Sequence, residues 1–292
     1  MATRLYRNRQ GLQIEYRYDD GGTRNQARNL VVMLPCGGGN IRGWRYARNK
    51  LAAARCAVLQ MNPRSHGQSE GQYHFKRVAE DLAELIQYLA IEAKSVQIVA
   101  HSMSAIVALQ YACLDSRVWA LELIAPILNP RNCLQYMYAR DTIDEFLELL
   151  LPADSRPGQP TGTTPARHQV DSRQALSASC WMDRDVWLQG WRQQLHIAVA
   201  NQQIKLPSIA DFLEHLFIDD QDHFQMLSEW GATGKAVHIW LPAEDHWVDL
   251  HRLRSACQDT SITVTTIPEA RSHFFEAGWN SFWQMLHLEP PD

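Results

Sequence analysis

Short apolar runs recur along this chain, separated by turn signals and helix-like stretches, and that alternation restricts its fold more than any other feature. Residues 30–34 and 57–61 are short and almost continuously apolar, as expected of strands buried on both faces. Residues 96–99, 118–125 and 236–241 repeat the pattern, and 262–267 follows as a last β-branched run. Between them, residues 78–90 place Val78, Leu82, Leu85, Ile86 and Leu89 on one helical face, and residues 105–112 are also helix-like. Upstream, residues 12–18 alternate, with Leu12, Ile14, Tyr16 and Tyr18 on one side, before a turn at Asp19-Asp20-Gly21-Gly22. Strands alternating with helices predict an α/β fold, a mostly parallel twisted sheet covered by helices on both faces.

The rhythm breaks after Pro126. Residues 154–172 contain Pro157, Gly158, Pro160, Gly162 and Pro165 and read as a loop, flanked by helix-like pieces at 142–151 and 210–217. The β pattern returns only at 236. The expected organisation is therefore a core of residues 1–127 and 234–292 with a helical cap inserted at 128–233, over the carboxyl edge of the sheet. A final helix is expected over about 274–286.

Composition narrows the function classes. A net charge of −4 gives no electrostatic case for nucleic acid or an anionic membrane as partner. The first residues lack the apolar core of a signal peptide, and no window approaches the ~18 consecutive apolar residues of a membrane span, so a cytoplasmic location is expected. The six cysteines are dispersed with no CxxC pair, which argues for free thiols and against a zinc site.

Ser102 is the residue on which chemistry centres. It lies in Ala100-His101-Ser102-Met103-Ser104, between the run at 96–99 and the helix-like 105–112. A sharp strand-to-helix turn exposes a hydroxyl and aims the first N–H groups of the helix at any charge developing beside it. A serine hydroxyl attacks only when a neighbouring base takes its proton, and that base needs an orienting acid. On a covered parallel sheet such groups come from loops at the carboxyl ends of strands. Asp245 follows the strand at 236–241, and His273 follows the strand at 262–267, so these are the expected acid and base. Glu244 and Asp249 are rivals to Asp245. Backbone N–H groups for an oxyanion are expected from Met103 and from the loop Cys36-Gly37-Gly38-Gly39-Asn40, with Gly38 preferred over its neighbours. His101, as the immediate neighbour of Ser102, should point away from the base's position. His66 reads as part of a turn and His246 as a surface or pocket-lining residue. The glycines at 37–39 lack the G-x-x-x-x-G-K-S/T pattern of a phosphate loop.

With these residues placed, the chain resembles the α/β-hydrolase superfamily. The resemblance is carried by Leu34-Pro35-Cys36-Gly37-Gly38-Gly39, Arg64-Ser65-His66-Gly67-Gln68-Ser69, Ala100-His101-Ser102-Met103-Ser104, Asp245 and Ser272-His273, in the Ser…Asp…His order of that superfamily. Both glycines of the usual G-x-S-x-G elbow are replaced, by Ala100 and Ser104, which are still small enough for the turn. Within the superfamily the chain is most similar to the acyl-transferase/thioesterase of bacterial luminescence operons, which shares a small-x-Ser-x-Ser elbow, an acid shortly before Trp-Val and a histidine after a serine. That resemblance implies a serine thioesterase using Ser102, His273 and Asp245, no metal or organic cofactor, and an acyl thioester on acyl carrier protein or coenzyme A as substrate. Leu147, Leu149, Leu150, Leu151, Trp181, Trp187 and Trp191 are candidate walls of an acyl tunnel. The alternatives are a carboxylic ester or lactone hydrolase, and a binding protein on the same fold with an idle triad.

Overall fold

The computed structural model describes residues 2–22, 29–37, 39–46, 51, 56–130, 222–243, 245, 247–271, 273, 275 and 277–288. The expected cap helices at 142–151 and 210–217, the loop at 154–172 and the proposed tunnel residues all lie outside them.

The apolar runs form one eight-stranded sheet: β1 (Arg4–Arg7), β2 (Gln13–Asp19), β3 (Asn29–Leu34), β4 (Ala57–Met61), β5 (Ser95–His101), β6 (Val118–Ile124), β7 (Ala236–Pro242) and β8 (Ile262–Ile267). Their order is β1-β2-β4-β3-β5-β6-β7-β8. Only β2 runs against its neighbours; the pairs from β4 to β8 are parallel. The chain moves from β3 to β4 on one side, then returns to place β5 on the other side of β3. The strand order thus reverses at β3 and β5, the position at whose carboxyl ends open α/β sheets generally carry their sites.

Alternate residues of each central strand feed two apolar layers, because successive side chains point to opposite faces. Leu30, Val32, Leu34, Ile98 and Ala100 join the helices α1 (Phe75–Tyr88) and α2 (Ser104–Leu114) in one layer. Val31, Met33, Val99 and Trp240 face Trp44 and Trp283 in the other. Burying both faces explains why β3, β4 and β5 read as largely apolar runs. Helix α3 (Phe224–Ala232) occupies the last residues assigned to the insertion, and its Phe224, Leu227 and Trp230 are buried in the first layer. Among the described residues, no helix is long and apolar enough to cross a membrane.

Two helices differ from expectation. The short α4 (Leu250–Ala256) was not foreseen, because it buries only Leu253 and so leaves no apolar stripe to recognise. The last helix, α5 (Trp279–Met285), starts later than 274. Phe275 takes a left-handed φ of 61°, which ends any helical path there. Gly278 then caps the helix at a point where a Cβ would stand 2.5 Å from that of Ala270. The segment carrying His273 is thereby left as an irregular loop between β8 and α5.

A buried ion pair fixes the turn after β4 against α1. Arg64 donates through Nε and a terminal nitrogen to Asp81 at 2.6 and 2.8 Å, and Asn8 donates to the same carboxylate at 2.7 Å. Asp81 is 2% exposed, so its loss would strand the guanidinium. Asp81→Ala is expected to destabilise the protein by about 3–5 kcal/mol, because a lone buried charge costs far more than the intact pair contributes. Urea unfolding checks this; a cost below about 1 kcal/mol would refute it.

Candidate active site

Strand β5 delivers Ser102 to the carboxyl edge of the sheet. The strand is fully buried and ends at His101, and Ser102 then adopts a φ of 60°. Left-handed backbone is strained for a residue with a Cβ, and the surroundings hold it in place. The Ser102 N–H donates to the Ile124 carbonyl at the end of β6 (2.8 Å), and its own carbonyl accepts from Ala105 (3.1 Å) and Ile127 (3.3 Å). Met103 follows in right-handed conformation at the N-cap of α2. The N–H groups of Ala105 and Ile106 are taken up by the Ser102 and Met103 carbonyls, both at 3.1 Å.

The glycines missing from the elbow are accounted for locally. Ala100 is wholly buried in β5. The hydroxyl of Ser104 donates to the Pro35 carbonyl at 2.5 Å, tying the start of α2 to the loop after β3. A glycine could not make that bond. This tie was not foreseen, since the sequence shows only that residue 104 is small. In the β3 loop, Gly39 N–H donates to the Cys36 carbonyl (2.9 Å), and a Cβ at Gly39 would meet Cys36 Sγ at 2.8 Å. Gly38 lies outside the described residues. Burial pushes the Cys36 thiol up to about 11, which suits an inert thiol rather than a nucleophile.

Three side chains far apart in sequence meet here. His273 Nε2 lies 2.8 Å from Ser102 Oγ. Its Nδ1 lies 3.1 Å from Asp245 Oδ2 and 3.4 Å from Oδ1. The side chains of His273 and Asp245 are 2% and 1% exposed. Burial by itself would raise the Asp245 carboxyl. Attraction to His273, the hydrogen bond from it, and N–H donation from Trp247 (2.7 Å) and Val248 (3.1 Å) together outweigh that and hold the group below the usual carboxylate range. An ionised Asp245 only accepts, so His273 Nδ1 carries the proton. Nε2 then presents its lone pair to the Ser102 hydroxyl.

One rival to Asp245 has another duty. Asp249 caps α4, accepting from the Arg252 N–H at 3.1 Å. Glu244 and His246 lie outside the described residues. His66 is fully buried, bonds the Arg64 carbonyl at 2.9 Å through Nδ1, and is pushed down to about 4 by burial. It is part of the turn after β4. Two aromatic groups flank the His273 ring: Trp247 stacks on it at 5.0 Å and 18°, and the His101 ring lies 5.7 Å away. A tryptophan face favours a nearby cation, so the stack suits an imidazole that becomes charged. The stacking was missed because Trp247 is distant from His273 in sequence. Among the described residues, no group of three or more His, Cys, Asp or Glu is placed to hold a metal ion.

Residues 31–277 match the model of a family described as the alpha/beta hydrolase family. No curated protein matches the chain. Similar solved structures include a carboxylesterase structure from the ammonia-oxidizing thaumarchaeon Nitrososphaera gargenis (14% identity, TM-score 0.61, covering 96% of this chain and 95% of that one). Another is a thermophilic esterase from Thermogutta terrifontis (14%, 0.61, 97% and 96%). A third is Est816, described as an N-acyl homoserine lactone degrading enzyme (16%, 0.59, 95% and 96%). At such identity the likeness is one of fold.

Proposed function

The chain belongs to the alpha/beta hydrolase family, and on that premise we propose that it is a serine hydrolase of carboxylic esters, working through an acyl-Ser102 intermediate. The observation that carries this reading is the 2.8 Å approach of His273 Nε2 to Ser102 Oγ, with Asp245 on the opposite ring nitrogen. As Ser102 Oγ bonds to the ester carbonyl carbon, its proton passes to His273 Nε2. The tetrahedral intermediate then collapses, the C–O bond to the leaving group breaks, and the departing oxygen takes the proton as an alcohol. Water attacks the acyl-serine by the same route in reverse, giving the carboxylic acid and free Ser102. Asp245 keeps the productive tautomer and stabilises the imidazolium. The oxyanion is assigned to the N–H groups of Met103 and of the loop after β3, with Gly38 as the second donor; each such donor is worth ~10²–10³ in rate.

Carboxylesters rank ahead of thioesters because the similar structures named above are esterases and a lactone-degrading enzyme. An acyl thioester on acyl carrier protein or coenzyme A remains the second reading. It is favoured by Ala100 and Ser104 at the elbow and by Asp245 shortly before Trp247-Val248, as in the luminescence thioesterases. A fluorophosphonate probe and paired substrates decide among the readings. Labelling of the wild-type protein, with kcat/KM higher on p-nitrophenyl esters than on acyl thioesters of equal chain length, is the expected result. The opposite ratio would establish the thioesterase, and absence of labelling would favour a binding protein with an idle triad.

A further inference from the structure

Two consecutive residues at the end of β5 grip two different parts of His273. Ser102 meets its ring at Nε2, and His101 Nε2 lies 2.8 Å from its main-chain carbonyl oxygen. We propose that His101 is a positioning residue, which holds the base within reach of Ser102 by anchoring the backbone that carries it. This deepens the hydrolase reading above and rests on it.

The need for an anchor follows from the fold. His273 sits between β8 and α5, outside the described strands and helices. Ser102, by contrast, is fixed by β5, β6 and α2. A bond from the neighbour of the nucleophile to the backbone of the base ties the loop-borne partner directly to the strand-borne one. His101 is itself well held. It is 4% exposed, ends β5 in register with Ile124, and meets the Trp279 ring edge-on at 5.6 Å.

The chemistry of the bond is unambiguous in direction. A carbonyl oxygen only accepts, so His101 Nε2 must carry a proton and donate. Burial, then repulsion from His273, pushes the His101 imidazole down to about 3, so it donates as a neutral ring. A neutral donor adds no second positive charge beside the imidazolium that forms at His273 during the reaction. Lysine or arginine at 101 would anchor the same oxygen but oppose that charge.

The test compares His101→Phe, which keeps a ring but loses the donor, with His101→Gln, whose amide reaches a similar distance. On a p-nitrophenyl ester, His101→Phe is expected to lower kcat about 10- to 100-fold, because small misplacements of reacting groups are costly, while KM stays within about twofold. The downfield proton resonance of His273 Nδ1–H against Asp245 should shift or vanish in the same variant. His101→Gln should restore most of both. A phenylalanine variant with wild-type kcat and an unchanged resonance would overturn the proposal, as would a glutamine variant no better than phenylalanine. Should His101→Phe not fold, nitrogen chemical shifts of the wild-type His101 ring decide the matter: protonation at Nε2 supports the anchor, and protonation at Nδ1 alone refutes it. A protein without esterase activity that still loses the His273 resonance on His101→Phe would fail the hydrolase reading and keep the anchor.

Discussion

Ser102→Ala is expected to reduce ester turnover by about 10⁶-fold and to abolish fluorophosphonate labelling, the scale on which loss of an activated serine is felt. The size of the effect follows from the arrangement of groups. In the variant, His273 Nε2 faces a methyl group, and water must attack from bulk without a positioned acyl acceptor. What remains is the stabilisation expected from the proposed Met103 and Gly38 N–H donors and from substrate binding, which persists without the nucleophile. The fold should be unaffected, because the Ser102 N–H and carbonyl carry the bonds to Ile124, Ala105 and Ile127 and alanine keeps both groups. The check is a steady-state assay beside a urea unfolding curve. Turnover within tenfold of wild type in a folded variant would show that the hydroxyl of Ser102 is not the nucleophile.

Asp245→Asn is expected to cost about 10⁴-fold in kcat. The amide can donate as well as accept, so it can pair with His273 in the tautomer that places the proton on Nε2. That tautomer has no lone pair to receive the Ser102 proton. The substitution also has a thermodynamic signature. In the folded protein His273 and the Trp247 and Val248 N–H groups hold the Asp245 carboxyl below the usual carboxylate range that it has when unfolded. Its contribution to stability is therefore fully present well above the ordinary carboxylate range, from about pH 5 upward, and is lost as the pH falls through the folded value. The difference in unfolding free energy between wild type and Asp245→Asn should thus be constant from pH 7 to about 5 and shrink on further acidification. Paired urea titrations across that range measure it. A difference that grew towards low pH would contradict an ionised Asp245 held by His273, Trp247 and Val248.

The strands of this protein could be read directly from its residues. Burial on both faces favours apolar runs, and β3, β4 and β5 show them, broken by Gln60 in β4 and Gln97 in β5. Helix α1 showed itself by its stripe of Val78, Leu82, Leu85 and Ile86. The same helix also buries Asp81, which the stripe did not reveal, because the partner that makes its burial tolerable is Arg64 on a separate turn. The late start of α5 was hidden for a similar reason. The sequence from 274 to 286 suits a helix, but the loop bearing His273 has to reach Ser102, and Phe275 and Gly278 accommodate that bend.

At the candidate site, order along the chain singled out Ser102, Asp245 and His273 but left Glu244 and Asp249 as competitors. Geometry separates Asp249, which caps α4, from Asp245, which accepts from His273. His101, expected to point away from the base, instead lies beside it, with its ring 5.7 Å from that of His273 and its Nε2 2.8 Å from the His273 carbonyl, because the loop after β8 folds back over the end of β5. Ser104 likewise appeared only as a small residue, and its bond to Pro35 requires knowing that the loop after β3 lies over the start of α2.

By itself the sequence determined the layered α/β architecture and the place of the strand-to-helix turn at Ser102, because both depend on periodicities and turn preferences that operate within a few residues. Only the tertiary structure decided which carboxylate faces His273, how its loop is tethered and which nitrogen is left to receive a proton. Those outcomes depend on groups as many as 172 residues apart, brought within hydrogen-bond distance by the order of strands in the sheet, and no local pattern records such a meeting.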